Sequence, residues 1–184
     1  MLKLYARSVQ LLSPAKDLSL LSMRLLLAYV FLYPALQKWE NMEGTIWWFE
    51  SLGIPFPELN AYLSATIEIL GVVLLVLGLL SRFISIPLIV TMLVAIKTVH
   101  IDHGWFTIGQ SALNEEVAKR LNKGREILQE YGNYDWLTEE GSFVILQNGL
   151  ENPLTYISML LVVIAFGSGR LSLDYFLFER KIKM

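Results

Sequence analysis

The sequence predicts an all-α integral membrane protein: four transmembrane helices bundled together, with an amphipathic-helix insert outside the bilayer. Three observations predict it. The chain is 54% hydrophobic and only 17% charged, below the roughly 25% charge of soluble domains. Four apolar runs reach or approach the ~20 residues needed to cross a bilayer. Between the third and fourth lies a polar stretch with the period of a surface helix. At 184 residues the whole chain, 1–184, is one domain's worth of sequence, with a mean hydropathy of +0.49.

The first span is expected at 17–38, after Ser13-Pro14, with Pro34 placed to kink its far end. The second, 61–80, reads AYLSATIEILGVVLLVLGLL. Only Ser81-Arg82 separates it from the third, at 83–103. The fourth is expected at 150–168, with Pro153 in its first turn, where a missing N–H matters least. Residues 1–13 read as a short basic amphipathic lead-in that can lie on a membrane surface.

Basic residues set the expected orientation. Lys3, Arg7 and Lys16 precede the first span, Arg82 lies between the second and third, and Arg170, Arg180, Lys181 and Lys183 follow the fourth. Loop 39–60 carries Glu40, Glu43, Glu50 and Glu58 and no basic residue. Basic residues collect in cytoplasmic flanks. Both termini are therefore expected in the cytoplasm of a bacterial inner membrane, with 39–60 and 104–149 on the periplasmic side. Loop 39–60 holds Trp39, Trp47, Trp48, Phe49 and Phe56, residues that suit an interfacial anchor or a lid over a ligand. Gly53 to Pro57 reads as an extended turn.

The insert 104–149 is a different material. Leu113, Val117, Leu121, Ile127 and Leu128 fall near helical spacing, and Glu115/Lys119 and Glu116/Arg120 are oppositely charged pairs four apart. An amphipathic helix is expected over about 112–130, weakened at Gly124, followed by turn and loop in which Tyr134 and Trp136 dock on the bundle or the interface. A stretch this short is expected to cap the bundle rather than build a core of its own.

Glu68 is the anomaly of the second span. A charge at the bilayer centre costs at least ~2.5–3.5 kcal/mol. Ala61, Ser64, Glu68, Gly71, Leu75 and Gly78 form a stripe at steps of three and four. The stripe is mostly small, as at close helix contacts in membranes, so Glu68 should face the bundle interior. The first helix offers Arg24, Ala28, Phe31, Ala35 and Lys38 in the same way. The third ends in Lys97 and His100, one turn apart, and the fourth starts near Asn148 and Glu151. Lys38, Glu68, Lys97, His100, Asn148 and Glu151 should converge on the periplasmic half, with Arg24 toward the cytoplasm. Together these seven define a candidate ligand chamber in which Lys38, Lys97 or His100 pairs with Glu68. Intramembrane ionisable groups mark ligand or ion sites. They also serve as interhelical glue, which is the bland alternative.

Several chemistries can be excluded. There is no cysteine, hence no disulfide, thiol relay or Cys-ligated metal in this chain. The net charge of −2 gives no reason to expect nucleic acid. No phosphate loop, dinucleotide fingerprint or nucleophile–base arrangement occurs. His100, Asp102 and His103 are a candidate metal set, since imidazole and carboxylate suit copper or zinc. A quinone headgroup held by His100 and Glu68 is the other cofactor to weigh.

The chain resembles the DoxX family of small bacterial membrane proteins. The features that carry the resemblance are RLLLAYVF with Arg24 and Lys38, IEILGVVLLVLGLLSR with Glu68, Gly71, Gly78 and Arg82, the ISIPLIVTMLVAIKTVH stretch, and GSGRLSLD from Gly167 to Asp174. The insert ending GNYDWLTEEGSFVILQNGLE is similar to that of the HvfX-type subgroup. That resemblance implies an inner-membrane accessory protein of a redox- or copper-linked system, such as copper-binding peptide maturation or oxidative stress, and not a stand-alone enzyme. The expected partners are the lipid bilayer, a periplasmic peptide or protein, and a second copy in a homo-oligomer. The alternatives are a subunit of a quinone-linked oxidoreductase and a non-catalytic scaffold.

Overall fold

The computed structural model describes residues 15–180, which are helical with no β-strand among them. The lead-in expected at 1–13 lies outside the described residues. The elements are α1 (Ala15–Glu40), α2 (Met42–Ser51), α3 (Pro57–Leu77), α4 (Ser81–Ala95), α5 (Glu115–Tyr131), the single turn α6 (Tyr134–Leu137) and α7 (Glu151–Phe166). A π-helical turn at Ile96–His100 and a 3₁₀ turn at Ile101–His103 extend α4, and a second π-helical turn occupies Tyr175–Glu179.

Three helical stretches are long and apolar enough to cross a membrane: Ala15–Glu40, Pro57–Leu77 and Ser81–His103. α7 is apolar but has only 16 residues, about 24 Å of helix against a ~30 Å hydrocarbon core. It is shorter than the 150–168 the sequence suggested. Gly149 and Leu150 pack beside the chain at Gly104 to Phe106, and Gly167 turns at φ 76°.

The chain divides into two compact units, one of residues 15–94 and 155–180 and the other Ala95–Leu154. In the first unit, Leu27, Ala28 and Phe31 of α1, Leu75 of α3, Ile84 and Leu88 of α4, and Leu160 and Val163 of α7 share one core. The buried face of α1 is Leu20, Arg24, Leu27, Ala28, Phe31 and Ala35, and that of α3 is Ala61, Ala65, Glu68, Gly71 and Leu75. Both stripes follow the three-and-four spacing, and Gly71 meets the Leu88 side chain where a Cβ would sit. Pro34 sits inside α1 without ending it.

The turn expected at Gly53 to Pro57 is present, leading into α3 at Pro57, but the stretch before it was not expected to be helical. That stretch folds into α2, because Asn41 caps it by accepting from the Gly44 N–H at 3.1 Å, while Thr45 and Phe49 bury one face.

The second unit is a helix on a short ribbon of two extended segments paired through a single antiparallel bridge between Ile108 and Leu146. α5 starts three residues later and ends one later than expected, capped by Asn114, which accepts from the Glu116 and Val117 amides. Val117 and Leu121 are buried on its inner face. Gly124 does not interrupt the helix; it gives the Phe143 ring room to approach. The segment after α5 forms the turn α6, and Trp136 there is exposed.

At the junction with α7, Leu150 and Glu151 donate their N–H groups to the Gly104 and Trp105 carbonyls, both at 3.0 Å. Gly149 packs flat on the Phe106 and Trp105 carbonyls, where a Cβ would strike backbone that cannot rotate away. Gly149→Ala is expected to open this junction at a cost of ~1–3 kcal/mol. Faster hydrogen exchange at the Leu150 and Glu151 amides would register it; unchanged exchange would refute it.

Candidate functional site

Lys38 and Glu68 meet in the first unit. Lys38 lies in the last turn of α1, and Glu68 lies about 16 Å along α3 from its start. The Lys38 ammonium donates to both carboxylate oxygens, Oε1 at 2.8 Å and Oε2 at 2.6 Å. Of the three partners the sequence allowed for Glu68, this is the one bonded to it. The Glu68 side chain is 4% exposed and that of Lys38 16%, so the carboxylate is sealed while the ammonium retains an opening.

The opening is a cleft of 510 Å³ lined by Pro34, Gln37 and Lys38 of α1, by Glu40 and Asn41 at its end, and by Gly44, Thr45 and Trp48 of α2. Positions 34, 37, 38 and 41 recur at helical spacing, as do 41, 44, 45 and 48, so the cleft fills the inner angle between two helices that break at Asn41. The cleft is open rather than enclosed, and its walls combine the polar groups of Gln37, Lys38, Asn41 and Thr45 with Pro34 and Trp48. An ammonium carries three N–H donors. Glu68 takes two, so one is not engaged by the ion pair, and Lys38 is among the residues lining the cleft. Trp48 was among the aromatics read as an interfacial anchor or a ligand lid; Asn41 and Thr45 were not singled out from sequence. The Asn41 cap followed by Thr45 and Phe49 was the available signal.

Lys97, His100, Asp102, His103, Asn148 and Glu151 belong to the second unit. Here the structure brings together His100 and Asn148: His100 Nδ1 lies 2.6 Å from the Asn148 carbonyl oxygen. A carbonyl only accepts, so Nδ1 carries the proton. The backbone of Asn148, at φ 56°, makes this contact rather than its amide side chain. The expectation that Lys97 and His100 stack one α-turn apart meets a π-helical turn instead, closed by the Ile101 N–H on the Ile96 carbonyl. A π turn is wider, so positions three apart no longer share a face. Among the described residues no group of three or more His, Asp or Glu side chains could hold a metal ion. Asp102 and His103 are exposed.

Arg24 lies fourteen positions before Lys38 on α1, about 21 Å along the helix, and is fully buried in a separate cluster. Its guanidinium donates to the Leu75 carbonyl at 2.7 Å and the Leu171 carbonyl at 2.6 Å. It thereby caps the C-terminus of α3 beside Gly78, whose φ of 65° no side chain adopts readily. Asp174 completes the cluster by accepting from the Leu80 amide at 2.8 Å, the Ser81 amide at 3.3 Å and the Ser168 hydroxyl at 2.7 Å. Arg82 caps α7 through the Ile164 and Ala165 carbonyls.

Comparison with known proteins bears on the first cluster. "Putative oxidoreductase CatD" of Bacillus subtilis is 36% identical over 83 residues, which is 45% of this chain and 60% of that protein's length. An uncharacterized protein of Haemophilus influenzae is 26% identical over 164 residues, or 85% of this chain and 81% of the other. No solved structure matches. The stretch that holds Arg24, Lys38, Glu68, Lys97 and His100, residues 19–101, matches the DoxX family.

Proposed function

We propose that the chain is an inner-membrane accessory protein of a redox-linked system, in which the cleft beside the Lys38–Glu68 pair holds the headgroup of a small organic ligand. The observation that carries this reading is the pair itself. It is a buried ion pair whose lysine also lines an open cleft, inside the DoxX-matching segment. The name of the Bacillus relative, a putative oxidoreductase, supports the redox setting. The insert supports placement in the HvfX-type subgroup and the copper-linked setting that goes with it. A resident copper ion does not fit the side chains at hand: the three candidate ligands form no metal-holding group among the described residues. A quinone fits better. A quinone oxygen could accept from Lys38, its ring could lie on Trp48, and its tail could enter lipid. In this role the protein presents a carrier to a partner, and the oxidoreductase-subunit alternative differs only in which chain supplies the electrons.

The same proposal places both termini in the cytoplasm, which requires α7 to cross. A 16-residue helix crosses if the bilayer thins locally or flanking residues snorkel.

The test is titration of detergent-purified protein with a short-chain ubiquinone analogue, read by tryptophan quenching. Saturable quenching is expected, weakened about tenfold by Trp48→Ala, because an aromatic contact is worth ~0.5–1.5 kcal/mol beyond area. Absence of saturable binding, together with no quinone in a solvent extract, would leave the scaffold alternative.

A further inference from the structure

The ribbon in the second unit shows a strict alternation. Gly109 N–H bonds the Ile145 carbonyl, Gln147 N–H bonds the Thr107 carbonyl, both at 2.8 Å, and Ile108 faces Leu146 across an antiparallel bridge. Successive side chains of extended backbone point to opposite faces. Thr107, Gly109, Phe143, Ile145 and Gln147 are half-buried. This inner face packs on α5, Gly109 against Val117 and Phe143 against Gly124. The outer face is Phe106, Ile108, Val144 and Leu146, all exposed, with Leu146 at 64%. No charged residue interrupts those four positions. α5, on the other side of the ribbon, turns Glu115, Glu116, Lys119, Lys123 and Glu126 outward in ion pairs. The unit is therefore two-faced, apolar on the ribbon and charged on the helix.

What covers the apolar face follows from where the ribbon starts. The candidate span Ser81–His103 ends two residues before Trp105, and Ile101, Trp105, Phe106 and Ile108 are exposed in succession along the chain. Within the second unit, exposed apolar side chains thus flank the exposed Asp102-His103-Gly104 turn, Ile101 at the end of the span and Trp105 at the start of the ribbon, with the tryptophan where aromatics mark the membrane interface. We propose that the ribbon's outer face lies against the bilayer, at the boundary of headgroups and acyl chains, so that the insert is a membrane-surface anchor rather than a free periplasmic domain. The partner is the lipid surface. Apolar groups on one face with charges on the other is the pattern of interfacial elements, and it explains why an apolar patch is left open on a ribbon of two extended segments.

The chain has no cysteine, so a single introduced thiol labels one position. Ile108→Cys, Leu146→Cys and, as the charged-face control, Lys123→Cys would each carry an environment-sensitive fluorophore in phosphatidylcholine–phosphatidylglycerol vesicles. The probes at 108 and 146 are expected to be quenched by nitroxides on shallow acyl carbons and shielded several-fold from aqueous iodide, and the probe at 123 is expected to behave in the opposite way. Iodide reaching all three equally would overturn the proposal. So would protection of 108 and 146 from both quenchers, which would mean that protein, not lipid, covers the face.

Discussion

Lys38→Met lowers stability by ~3–5 kcal/mol, the cost of leaving a buried charge without its partner. Glu68→Leu costs less, and the double variant Lys38→Met/Glu68→Leu costs least of the three. The order follows from the geometry. Glu68 is 4% exposed and sits well inside α3, so without Lys38 its carboxylate has no route to water. Lys38 is in the last turn of α1 and opens on the cleft, so without Glu68 its long stem can carry the ammonium outward. Replacing both partners by apolar groups removes the desolvation problem altogether, which is often neutral or stabilising. Thermal unfolding in mild detergent across this double-mutant cycle measures the coupling. Losses that simply add would show that the two groups do not act as a pair. The double variant also separates the two roles of the cluster. If the pair only sets helix register, a stable double variant keeps ligand binding; if Lys38 supplies a donor to the ligand, it folds and does not bind.

That the chain is all-α with long apolar helices was legible because length and hydropathy are properties of the chain alone; three of the four stretches expected to span are helices long and apolar enough to cross a membrane. The face carrying Glu68 was legible too, since Ala61, Gly71 and Leu75 mark it at helical spacing. Which cation Glu68 takes was not, because Lys38 is thirty positions away in sequence and only packing selects it over Lys97. α2 was hidden because the aromatics of 39–60 read as an interfacial anchor or a lid when the Asn41 cap is not weighed; the turn read at Gly53 to Pro57 follows it. The ribbon was hidden for a different reason: its paired residues, Ile108 and Leu146, are 38 positions apart, and neither extended segment is long enough to announce itself. Asp174 stood in view inside GSGRLSLD, but its work on the α3–α4 turn depends on a glycine-rich segment folding back, which no local spacing encodes.

Arg24→Ala is expected to keep the protein from accumulating in folded form. The fully buried guanidinium holds the Leu75 carbonyl at the end of α3 and the Leu171 carbonyl of the returning segment. Truncation leaves both acceptors unpaired in apolar surroundings, at ~1–3 kcal/mol each, against total stabilities of ~5–15 kcal/mol. It also removes the positive charge from a helix C-terminus, where the helix dipole favours one. Asp174 stays bound to the Leu80 and Ser81 amides, but its own N–H reaches Gly78 across a turn that Arg24 no longer braces. Arg24→Lys restores the charge and not the fork: one ammonium on a flexible stem cannot span carbonyls on two segments as the planar guanidinium does. It should therefore fold with a lowered melting temperature, below wild type and above Arg24→Ala. The comparison is made by fluorescence-detected gel filtration of the three proteins from equal membrane preparations, followed by thermal ramps. Wild-type yield and stability for Arg24→Ala would mean that water or lipid satisfies those carbonyls, and the cluster would then have to be explained by something other than fold.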